Sequence, residues 1–74
     1  MATVAVFGAN GATGIEVVKA CMARGHDVVA AVRRPETVTG ATRTAKINLS
    51  DHASLVAALS GVDVVVGCLG HGGL

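Results

Sequence analysis

The segment Gly8-Ala9-Asn10-Gly11-Ala12-Thr13-Gly14 restricts this chain more than any other feature, because of what flanks it. Val4 to Phe7 is a short apolar run that ends at Gly8, and by itself it reads equally as a strand or as a piece of buried helix. From Gly14 the pattern changes: Ile15, Val18 and Met22 recur at helical spacing, with Val17 and Cys21 widening the stripe, and Gly25 supplies a left-handed stop. A strand, a glycine turn and a helix are therefore expected in succession.

The pattern then repeats with different punctuation. Val28-Val29-Ala30-Ala31-Val32 is uninterrupted and apolar, as expected of a parallel strand covered on both faces, and it stops at Arg33-Arg34-Pro35. Glu36 to Thr44 is polar and reads as a loop with at most one helical turn after Pro35. A third strand is expected over Ala45 to Leu49. Ser50-Asp51 offers an N-cap for a helix covering Ala53, Leu55, Val56 and Leu59, closed by Gly61, and Val62 to Val66 reads as a fourth strand. Strands alternating with crossovers imply a parallel sheet of the α/β class. The expected architecture is a Rossmann-like doubly wound fold, its N-terminal half only, with strand order 3-2-1-4, so that residues 1–74 form a single partial domain.

Size agrees with that reading, since a chain of 74 residues buries only roughly 60% of its unfolded surface and is marginal by itself. Strand 4 would lie at one edge, apolar apart from Asp63, where a strand is normally short, charged or covered. Self-association through that edge, or poor folding of the isolated chain, is the expected consequence. The net charge is +1 and the six basic residues are scattered, so no nucleic-acid partner is expected. No apolar run approaches the ~18 residues of a membrane span, and the non-basic start reads as cytoplasmic. Cys21 and Cys68 read as buried free thiols rather than a disulfide or metal site, and no metal ligands are assigned.

The glycine loop carries the chemistry. Glycines 8, 11 and 14 suit three tasks: the turn out of strand 1, close approach of backbone to a phosphate, and tight packing of the helix on the sheet. The helix N-terminus behind them offers free N–H groups and a positive dipole end to the pyrophosphate of a dinucleotide. Asn10 and Thr13 are placed to hydrogen-bond around that phosphate or to brace the turn, with Ala12 between them. About 20 residues further on, an NAD site places Asp or Glu and an NADP site places Arg. Here Arg33 occupies that place, which favours NADP(H) over NAD(H) through a charge-assisted contact to the 2′-phosphate. Asn48 and Leu49, at the expected end of strand 3, point toward the adenine, although Asn48 serves equally as a turn residue and Asp51 as a helix cap. His26 and His52 fall at element ends and read as exposed. His71 and Cys68 lie beyond strand 4, toward the side where a substrate would enter.

The run Val4 to Gly14, with Val32-Arg33-Arg34-Pro35 and the segment Asn48-Leu49-Ser50-Asp51 to Leu59, resembles the atypical short-chain dehydrogenase/reductase family, in the NAD(P)H-binding branch that includes NmrA-like regulators and biliverdin or flavin reductases. The resemblance implies pyrophosphate binding at Gly8, Asn10, Gly11, Thr13 and Gly14, and 2′-phosphate contact at Arg33. Many members carry Asp where this chain has Asn48. The Tyr-x-x-x-Lys pair of catalytic members has no counterpart here, since the chain contains no Tyr, and no catalytic residue is assigned. Three functions stay open: the cofactor portion of an oxidoreductase or epimerase acting on a small molecule, a non-catalytic NAD(P)H sensor, and a truncated product inactive alone.

Overall fold

The computed structural model describes residues 2–68. Strand β1 (Thr3–Phe7) leads through the glycine turn into helix α1 (Ala12–Ala23), followed by β2 (Asp27–Val32), a single 3-10 turn over Pro35–Thr37, β3 (Arg43–Lys46), helix α2 (His52–Ala58) and β4 (Val64–Gly67). All strands pair in parallel, in the order β3-β2-β1-β4. The expected α/β architecture is thus realised.

The order dictates where the helices go. The first two crossovers step from β1 to β2 to β3 in one direction, and the third steps back past β1, so right-handed connections must cover opposite faces of the sheet. On one face, Val18 of α1 and Val38 and Ala41 of the β2–β3 connection pack against Val4, Val6, Val28, Ala30 and Val32. On the other, Leu55 and Ala58 of α2 pack with Ile47 against Phe7, Ala31 and Ala45. Val28 to Val32 are all buried, as an uninterrupted central strand requires. Each fully buried valine contributes roughly 1.5–3 kcal/mol, and the core is built almost wholly of Val and Ala.

Several sequence expectations are corrected. The third strand runs over Arg43–Lys46 rather than Ala45 to Leu49, because it pairs with β2, whose last residue is opposite Lys46. Arg43 and Thr44 are exposed on this edge, and their polarity hides the strand from an apolar-run reading. Strand β4 likewise starts two residues late: Val62 and Asp63 form the entry turn, where Asp63 Oδ2 accepts the Thr3 N–H at 2.9 Å and Asp63 N–H donates to the Thr3 carbonyl at 2.8 Å. Helix α1 begins at Ala12, and Gly14 and Val18 face the sheet while Ile15 and Met22 are exposed. In α2, Ala58 is the buried residue, and Val56 and Leu59 lie outside the core. Both thiols are free but only half-buried. His52 is exposed, whereas His26 is half-buried with Nδ1 accepting the Ala2 N–H at 3.0 Å.

The helix ends follow their residues. Asp51 caps α2 by accepting the Ala53 N–H at 3.1 Å. Gly25 and Gly61 take φ of +79° and +73° where the chain leaves α1 and α2. Asp51→Ala is expected to cost about 1 kcal/mol, read as a lower denaturation midpoint at unchanged m-value. Gly14→Ala is expected to cost about 3 kcal/mol, at the upper end of overpacking, because a Cβ there would run into the Gly8 carbonyl oxygen and lie 2.8 Å from Ala9 Cα. Denaturant titration of the two variants against the parent chain checks both values.

Candidate functional site

The carboxyl ends of the four strands open onto a cavity of about 540 Å³, of the size that holds small ligands and cofactors. It lies where strand order reverses between β1 and its neighbours, the place at which a doubly wound sheet leaves a crevice. Gly8, Asn10 and Gly11 form one wall, Arg33, Arg34 and Thr37 another, and Leu49 and Cys68 complete the rim.

The glycine turn is built by its backbone. Gly8 takes φ +78°, a left-handed conformation that only glycine adopts without strain, and its N–H donates to the Ala31 carbonyl at 3.1 Å. Gly11 N–H closes the turn on the Gly8 carbonyl at 3.1 Å, and the first helical hydrogen bond runs from Ile15 N–H to the Gly11 carbonyl at 2.9 Å. Gly11 is the N-cap of α1 and carries no capping side chain, so the amides of Ala12, Thr13 and Gly14 have no intrahelical acceptor. No acidic residue occupies the first turn, leaving the positive end of the helix dipole unopposed.

The three glycines answer to different constraints. Gly8 needs its φ, and Gly14 is needed because α1 rests directly on the Gly8 carbonyl. Gly11 needs neither: its φ is −82°, and a Cβ there would meet only the Gly8 oxygen at 3.5 Å, an ordinary contact. Neither backbone conformation nor packing therefore requires glycine at position 11, which lines the cavity.

Arg33 and Arg34 leave β2 into this cavity, and both are exposed. Among the described residues neither takes part in an ion pair, the one such pair being Lys19–Glu16 at 3.7 Å on the outer surface of α1. Among the described residues no carboxylate lines the cavity, and the charged groups there are the two guanidiniums.

The structure thus brings Gly8, Asn10, Gly11, Arg33 and Leu49 together, and keeps Ala12, Thr13 and buried Gly14 in the first turn of α1 behind that wall. Asn48 is not part of the lining. Its Oδ1 accepts the Ser50 N–H at 2.9 Å, and its backbone exchanges hydrogen bonds with the Ser54 hydroxyl, so it serves as a turn residue ahead of α2. Leu49, 61% exposed, presents an apolar side chain at the rim instead of ending a strand. His71 lies outside the described residues. Thr37 escaped the sequence reading: its hydroxyl accepts from Asn10 Nδ2 at 3.1 Å and donates to the Arg34 carbonyl at 2.6 Å. No local signal marks it, because Asn10 and Thr37 are 27 positions apart and meet only through the pairing of β1 with β2. Among the described residues no cluster of His, Cys, Asp and Glu could hold a metal ion, and no helix is long and apolar enough to cross a membrane.

Comparison with known proteins places this geometry. A protein from Burkholderia pseudomallei, provisionally named as an exported protein, superposes with a TM-score of 0.83 at 36% identity over 97% of this chain. AtPrR2, in its apo form, superposes with a TM-score of 0.76 at 34% identity over 93% of this chain. The chain spans 34% and 29% of the lengths of these two proteins. No curated protein matches it. Residues 8–74, from the first glycine of the turn onward, match the profile of a family described as NAD(P)H-binding. With a glycine turn opening a helix at the switch point of a parallel sheet, and that match over most of its length, the chain belongs to the NAD(P)H-binding family.

Proposed function

We propose that this chain is the cofactor-holding portion of an oxidoreductase of the short-chain dehydrogenase/reductase type, and that its cofactor is NADP(H). In this reading the pyrophosphate lies on Gly8, Asn10 and Gly11 and receives N–H groups from Ala12, Thr13 and Gly14, and the 2′-phosphate meets Arg33. The bound nicotinamide supplies the hydride chemistry. The chain's own residues bind and orient: the helix end and the guanidinium neutralise the phosphates, and Leu49 offers an apolar surface to the adenine. Substrate recognition falls to the remainder of a longer protein, in keeping with the fraction of the related structures that this chain spans.

The observation that carries the reading is Gly11, a glycine lining the cavity that neither φ nor packing requires. Gly11→Ala is accordingly expected to weaken dinucleotide binding about tenfold, equivalent to ~1.4 kcal/mol, on top of the loss of about 1 kcal/mol in stability that alanine costs at an N-cap. Binding that survives this substitution would move the phosphate elsewhere. The preference for NADP(H) rests on the unpaired cationic corner at Arg33 and Arg34. NADPH is expected to bind tighter than NADH, and Arg33→Asp to remove about ten- to a hundredfold of that difference, the scale of a hydrogen bond to a charged group. Isothermal calorimetry with both cofactors decides it, and equal affinities in the parent chain would take Arg33 out of the site.

A second reading concerns partners. The two sheet edges differ: β3 carries exposed Arg43 and Lys46, while Val64 and Val65 of β4 are 46% and 55% exposed. A charged edge discourages strand addition and an apolar one invites it, so self-association through β4 is expected for the chain by itself. Sedimentation velocity of the parent chain and of Val65→Lys checks this, with a concentration-dependent shift in the first and its loss in the second.

A further inference from the structure

Asn10 stands in the glycine turn after β1 and Thr37 closes the 3-10 turn after β2. The Thr37 hydroxyl has one proton, and it is donated to the Arg34 carbonyl at 2.6 Å. The same oxygen must therefore act as acceptor toward its other neighbour, and it receives Asn10 Nδ2 at 3.1 Å. Two polarised hydrogen bonds thus run in series from the turn that follows β1 to the arginine corner that follows β2. Strand pairing and the bond from Gly8 N–H to the Ala31 carbonyl hold the bases of these two loops, and Thr37 holds their tips.

The spacing of the two loops matters because a dinucleotide phosphorylated on its ribose presents two anionic groups at a covalently set separation. A receptor whose two anion-binding elements are already held at that separation loses less freedom on binding. Arg34, at φ −124° and ψ 86°, lies outside any helix or strand, so the backbone that carries both guanidinium groups depends on its hydrogen bonds for its position. Pro35 stiffens the turn internally without tying it to the glycine loop.

We propose that Thr37 is a positioning residue for cofactor choice: by linking Asn10 to the Arg34 carbonyl it sets the arginine corner against the glycine turn, and so makes recognition of a 2′-phosphorylated ribose depend on its hydroxyl. This rests on the proposed NADP(H) reading and assigns within it the group that enforces the selection. An unphosphorylated ribose makes no demand on the arginine corner, so NADH depends on the link only through Asn10 at the shared pyrophosphate, and NADPH depends on it through both loops. Bound dinucleotide would cover this exposed linkage and strengthen it by excluding water.

The test compares the full chain with Thr37→Val, which keeps shape and β-branching, and Thr37→Ser, which restores the hydroxyl. Dissociation constants for NADPH and NADH are measured by calorimetry, and 15N-resolved NMR follows the Asn10 side-chain amide and the Arg33 and Arg34 backbone amides. Thr37→Val is expected to lower the NADPH-over-NADH preference about three- to tenfold, the range of one net hydrogen bond, with NADPH weakened more than NADH. The Asn10 and Arg34 resonances should shift in Thr37→Val, and both preference and shifts should return in Thr37→Ser. An unchanged preference in Thr37→Val, or equal weakening of both cofactors, overturns the proposal while leaving the arginine reading intact. A parent chain that binds both cofactors equally removes the arginine reading, and this proposal with it, before any variant is compared.

Discussion

The contact of α1 with the turn that precedes it is the constraint on which the rest of the structure depends. Gly14 sits so close to the Gly8 carbonyl and Ala9 Cα that no side chain could be accommodated. That closeness brings Val18 down onto the sheet among Val4, Val6, Val28 and Ala30. It also aims the open end of the helix at the carboxyl edge of β1 rather than into solvent. Because the core is made of small residues, packing distance and helix direction are coupled. A helix lifted by one methyl group would lose both its apolar contacts and its alignment with the cavity.

From that contact the site follows by topology. All four strands are parallel, so the loops after β1 and β2 lie on the same rim, and the segments beyond β3 and β4 contribute Leu49 and Cys68 from the two flanks of that pair. The cavity is consequently walled by two kinds of positive electrostatics, a helix end and a pair of guanidinium groups, with no carboxylate among the described residues to oppose them. The sheet is asymmetric at its edges for a related reason. The β3 edge is finished with charged residues, and the β4 edge is left apolar.

Much of this was legible without coordinates, and the limits have physical causes. The glycine turn, the central strand Val28 to Val32, the stop at Gly25 and the cap at Asp51 each depend on short-range preferences, and all four stand where the residues put them. Strand ends were less legible, because pairing partners decide them: β3 is drawn toward Arg43 by β2, against its own polarity, and ends before Asn48. The helical stripes misled in part, since seven residues of α2 cannot bury every apolar side chain and Ile15 and Met22 face a connection too short to cover them.

The residues alone determined the class of fold, the order of its strands and the position of the glycine turn, because alternating apolar runs, handed crossovers and glycine spacing leave few other arrangements. They also singled out Arg33 by its distance along the chain. Only the tertiary structure decided which glycine answers to φ, which to packing and which to neither, since that depends on atoms brought in from across the turn. Only it withdrew Asn48 into a local turn and linked Asn10 to Thr37. Those are relations between segments far apart in sequence, set by how β1 and β2 pair, and no local pattern encodes them.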